Sequence, residues 1–118
     1  MNGVALRTLR VSRVAGTLER FGDALPARAF TAAERDYCDP KRRAPQHYAV
    51  RLAAKMAVRH LLRRGRLAEI EIVRDDAGAP ALRLHGVAAE AGSDRCWWLS
   101  LSHDEDLAVA LVVTEASG

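Results

Sequence analysis

Three stretches of this 118-residue chain are more specific than a secondary-structure element requires. They are Arg51-Leu-Ala-Ala-Lys55-Met56-Ala57, Arg74-Asp-Asp-Ala-Gly78-Ala-Pro80 and Leu99-Ser-Leu-Ser102-His103-Asp104. Met56 and His60 stand four positions apart, so on a helix they share one face. That face is apolar and carries one titratable imidazole. Histidine changes charge near neutral pH, which makes His60 and His103 the candidates for general acid–base work. His47 and His85 have no neighbour at metal-ligand spacing and read as structural. Cys38 and Cys96 form neither a CxxC pair nor a Cys/His zinc spacing, and read as reduced thiols. No nucleophile elbow, phosphate-binding glycine loop or HExxH motif is present.

Composition narrows the class. Hydrophobic residues make up 49% and charged residues 28%, the balance of a single globular domain spanning residues 1–118. No apolar run reaches the roughly 18 residues of a membrane span. No secretion signal is evident, so the expected location is the cytoplasm. The formal charge is +3, and only 2 of the 18 basic residues are lysine. Basic clusters fall at Lys41-Arg42-Arg43 and at Arg63, Arg64 and Arg66, suited to a solvated surface or to an acidic protein. Aromatic residues are only 5%, with no RNA-recognition or zinc-finger pattern, which argues against nucleic acid.

The elements that must position these stretches follow from periodicity. Val4 to Val14 alternates loosely and predicts a strand. Thr17 to Phe21 predicts a short helix stopped at Gly22. Thr31-Ala-Ala-Glu34 is a capping-box pattern opening a helix through Tyr37. Pro45 suits the first turn of the longest helix, over 45–64, with Tyr48, Leu52 and Met56 as its apolar stripe and Gly65 as its stop. Glu69 to Arg74 alternates as a half-buried strand, Asp75 to Gly78 turns, and Pro80 to Leu84 is a second strand. Val87 to Ala91 reads as a helical turn. Trp97–His103 and Leu107–Thr114 form a hairpin around Asp104-Glu105-Asp106. The fold class is α+β: one long helix on an antiparallel sheet that takes in the first strand.

Together with Phe30-Thr-Ala-Ala-Glu34 and Tyr37-Cys38, the three stretches resemble the holo-acyl-carrier-protein synthase family, the small trimeric 4'-phosphopantetheinyl transferases. The resemblance runs from Gly3 to Val113. It implies that fold, a homotrimer, and transfer of the phosphopantetheine arm of coenzyme A to a serine of an acidic acyl carrier protein, with Mg²⁺ at the diphosphate. It also implies that Arg51 and Lys55 lie near phosphate, that Gly78 and Pro80 wall the adenine, and that Ser102 and His103 flank the diphosphate.

The resemblance departs at the metal. Ala5 stands where the family carries an aspartate, Met56 where it carries a glutamate, and His60 where it carries a lysine. Alanine and a thioether offer no oxygen to a hard cation. The resulting expectation is a protein that has lost Mg-dependent transfer, with no metal ligand and no cofactor. Its pocket, lined by Arg51, Lys55, Met56, His60, Gly78, Pro80, Ser102 and His103, is expected to serve another ligand in acyl-carrier or polyketide-type biosynthesis. Two alternatives stand beside it. One is an active synthase using coenzyme A and Mg²⁺, and the other a non-catalytic subunit that binds a carrier protein.

Overall fold

The computed structural model describes residues 2–116. Strand β1 (Gly3–Arg10) leads into helices α1 (Val11–Phe21), α2 (Ala24–Ala29) and α3 (Ala32–Cys38). The long helix α4 (Ala44–Leu62) follows, then the hairpin β2 (Ile70–Arg74) and β3 (Pro80–Leu84). Helix α5 (Gly86–Gly92) precedes a second hairpin, β4 (Arg95–Asp104) and β5 (Leu107–Ala116). All pairing is antiparallel. The strands form two sheets, β1-β5-β4 and β2-β3, where the sequence suggested one.

Helix α4 is the centre of the molecule. Its alanines at 53, 54 and 57 are fully covered, and small side chains there let the helix lie close to β1 and β5. Ala5, Val58, Ile70, Ala110 and Val112 complete that core. A second cluster gathers Val11, Val14, Phe30, Tyr48 and Val50 under α1 and α3. Close approach is also bought with glycine: a Cβ on Gly92 would lie 2.6 Å from Leu62 Cδ2.

The expected first strand is too long. Val11 to Val14 is helical, because the tip of the β4–β5 hairpin meets the chain there. Val11 N–H donates to the Asp106 carbonyl at 2.8 Å, and Ser12 N–H and hydroxyl both donate to the Asp106 carboxylate. Those bonds satisfy donors that a helix start otherwise leaves open. Val11 and Val14 then point the same way, into the core. Helix α4 stops at Leu62, with Arg63 in the left-handed cap position (φ 63°), before the expected Gly65. No helix among the described residues is long and apolar enough to cross a membrane.

One ion pair ties three elements together. The Lys55 ammonium on α4 meets Glu34 on α3, and both side chains are fully covered. The Glu34 carboxylate also accepts from Thr31 N–H at 2.9 Å and from Ile72 N–H of β2 at 2.9 Å. Thr31 Oγ1 returns the capping-box bond from Glu34 N–H. Removing one member of a buried pair strands the other charge, which costs about 3–5 kcal/mol. Lys55→Met should therefore lower urea stability by about that amount. The double variant Glu34→Leu/Lys55→Met should lose less than the sum of the two single changes, because the partners are coupled.

Candidate functional site

A cationic cluster forms where α3, the start of α4 and the end of β2 converge. Tyr37 is its hub. The Arg51 guanidinium lies 4.2 Å from the Tyr37 ring centroid, Lys41 Nζ 4.5 Å and the Arg74 guanidinium 5.7 Å. Such cations gain from the negative face of the ring. Arg74 Nε also donates to the Tyr37 hydroxyl at 3.2 Å, and Arg74 Nη1 to the Gly78 carbonyl at 2.7 Å. The Asp75–Gly78 turn is thus fastened to the cluster. Gly78 itself has φ 86°, a conformation that favours glycine.

Two histidines extend the cluster. His47 stacks edge-on between Tyr37 and His103, with ring centroids 5.9 and 6.1 Å away. Burial, and then the nearby charges led by Arg51, holds His47 below its ordinary pKa. Burial would raise the Tyr37 phenol, but the Arg74 hydrogen bond and charge, with Arg51, bring it below its usual value. Arg51 is almost entirely covered, and its buried Nε has no hydrogen-bond partner. A cavity of about 240 Å³ opens beside it, lined also by Tyr37, Glu71 and Arg74. A second, of about 480 Å³, lies between Pro80 and the Trp97-Trp98 pair. The cluster gathers fixed positive charge, and guanidinium forks are the donors that suit carboxylate or phosphate oxygens.

The sequence-derived residues divide into two groups. Arg51, Gly78 and His103 meet at this cluster, with Pro80 and Ser102 adjacent along β3 and β4. Met56 is half-covered on α4 and His60 is exposed in its last turn. His47 opens α4 and His60 closes it, so the His103 end and the His60 end of one chain are about 20 Å apart at 1.5 Å per residue. Lys55 does not face the site. It is buried on Glu34, and burial, partly offset by Glu34, holds its pKa below the ordinary value.

The position taken for a metal-binding acid is covered. Ala5 packs into the core with Ala54, Ala57 and Val58, so no side chain there reaches an open site. Arg7, the next residue on the same face of β1, is the half-covered one. Arg7, Met56 and His60 offer a divalent ion no carboxylate. No cluster of three or more potential ligands occurs among the described residues. Glu71 is engaged by Thr31 Oγ1 at 3.1 Å and by His85 Nε2 at 2.9 Å. The residues present do not fit the Mg²⁺ site that the resemblance implies.

Sequence reasoning missed Arg74 and His47 as members of the cluster. The signal available was the run of basic residues around a single tyrosine, but only the hairpin and α3–α4 packing bring them together.

Comparison with known proteins places this geometry. A holo-[acyl-carrier-protein] synthase of Nocardia farcinica is 40% identical, over 98% of this chain and 88% of the relative. The chain belongs to the holo-acyl-carrier-protein synthase family. A synthase of Geobacter sulfurreducens is 39% identical over 96% of both chains. No family model matches. Among solved structures, the synthase of Bacillus anthracis in complex with CoA (3',5'-ADP) superposes with TM-score 0.81 at 27% identity, covering 98% of this chain and 96% of that one. The Chronobacterium ammoniagenes synthase–CoA complex gives 0.82 at 27%, covering 100% and 99%. These coenzyme complexes overturn the expectation that no cofactor is involved.

The chain has two tyrosines, and they should titrate apart. Burial and the Asp39 hydrogen bond push Tyr48 well up, while Tyr37 is pulled down. Ultraviolet absorbance during alkaline titration should show two separate tyrosinate steps. Arg74→Gln should shift the earlier step upward and leave the later one in place.

Proposed function

We propose that this protein is a working holo-acyl-carrier-protein synthase of the cytoplasm, binding coenzyme A and moving its phosphopantetheine arm to a carrier-protein serine. The observation that supports this best is near-full-length identity of 40% to a synthase. It replaces the expectation of a repurposed pocket, half of which rested on Ala5, a residue the fold seats in the core.

The reaction is a phosphoryl transfer. The serine oxygen bonds to the phosphorus that carries the pantetheine arm. The bond from that phosphorus to the bridging oxygen breaks, and 3',5'-ADP leaves with the electron pair. The serine proton passes to a base, for which His103 and His60 are the titratable candidates. Catalysis of this kind is mostly positioning and charge stabilisation. Arg51, Lys41 and Arg74 supply fixed positive charge for the nucleotide phosphates, and the Gly78–Pro80 turn a wall for its base.

A homotrimer accounts for two further features. The outer face of the β1-β5-β4 sheet exposes Val4, Leu6, Trp98 and Leu111, at 66, 62, 51 and 38%. Register sets Leu6 opposite Leu111 and lines Val4, Val113 and Trp98 across the three strands, so the patch is continuous. An apolar area of that kind suits association with copies. Association would also bring the His60 end of one chain to the His103 end of another. The acidic carrier would seat near Phe21, which is 56% exposed beside Leu25 and Arg28.

The test is incubation of the protein with coenzyme A, Mg²⁺ and an apo carrier protein, followed by intact-mass spectrometry. The carrier should gain the mass of one phosphopantetheine. Carrier binding that weakens with salt but brings no mass gain would identify a non-catalytic subunit. Trp98→Glu should yield monomers by native mass spectrometry and lose the transfer.

A further inference from the structure

Strand β1 turns alternate residues toward α4. Gly3, Ala5, Arg7 and Leu9 are the covered positions, while Val4, Leu6 and Thr8 are open. The strand and the helix run in opposite directions. A Cβ on Gly3 would lie 2.7 Å from Leu61 Cδ2, near the helix end. Ala5 packs with Ala54, Ala57 and Val58, and Leu9 reaches the cluster of Tyr48, Ala49 and Val50. Arg7 is therefore level with the middle of α4, where Leu52 and Met56 leave the covered row and stay half-open. Because β1 is an edge strand, this seam faces out.

The cations along this helix are otherwise provided for. Lys55 has Glu34, Arg51 lies on Tyr37, and Arg59 Nε donates to the Gly65 carbonyl at 2.7 Å. The Arg7 side chain is half-covered, yet among the described residues it has no hydrogen bond, ion pair or ring contact. A charge partly withdrawn from water and left unpaired is costly, and an arriving anion offsets that cost. A guanidinium presents a planar fork of donors that matches phosphate oxygens.

We propose that Arg7 is a phosphate-binding residue of this site, gripping a phosphate group of the bound coenzyme across the β1–α4 seam. The inference rests on the functional reading above. It adds a specificity-determining contact on β1, outside the stretches that the sequence singled out.

Calorimetric titration of wild type, Arg7→Gln and Arg7→Lys, in one magnesium-containing buffer, tests it. Coenzyme A should bind Arg7→Gln about tenfold to a hundredfold more weakly than wild type, the loss of a charged hydrogen bond. Arg7→Lys should recover part of the affinity, since it restores charge without the fork. Repeating the titration with 3'-dephospho-coenzyme A identifies the phosphate. A loss that persists assigns Arg7 to the diphosphate, and a loss that disappears assigns it to the 3'-phosphate. Equal affinity of wild type and Arg7→Gln for coenzyme A overturns the inference and leaves the functional reading intact. So does a change of oligomer mass with unaltered affinity, which would assign Arg7 to a contact between copies. Failure of the wild type itself to bind coenzyme A overturns both.

Discussion

The Glu34 carboxylate is the constraint around which this fold is organised. It closes the capping box of α3, receives a backbone N–H from β2 and neutralises Lys55 in the middle of α4. A charge at that depth is tolerated only where each of its acceptor sites is used. Satisfying it fixes α3 against both α4 and the β2–β3 hairpin. That fixes Tyr37, one helical turn beyond Glu34, against Arg51 and Arg74. The placement of the cationic cluster is thus a consequence of how one buried acid is paired.

Much of this was legible in sequence because it is local. The capping box at Thr31 and Glu34 and the hairpin around Glu105 depend on short spacings and form as read, while the proline-led helix forms but ends at Leu62 and covers Ala53, Ala54 and Ala57 where Leu52 and Met56 were expected. The errors lie where a distant partner decides. Val11 to Val14 has residues compatible with a strand, but Asp106 caps it into a helix from 94 positions away. Lys55 reads as a phosphate-side residue until Glu34 is found opposite it.

The site shows the same division. Arg51, Gly78 and His103 were identified by their stretches, and they converge. Arg74 and His47 were not, because their importance lies in what α3 places between them. Histidine spacing alone suggested that His47 was structural. Its stacking between Tyr37 and His103 is such a role, that of a spacer between the hairpin and α4.

The bond between Asp106 and Ser12 has a mechanical meaning. Helix α1 begins on the turn that joins the two long strands, with no slack chain between them. The same ribbon carries His103. The first turn of the helix and the tip of the ribbon thus share one anchored corner, so their relative placement is set by hydrogen bonds and not by a loop.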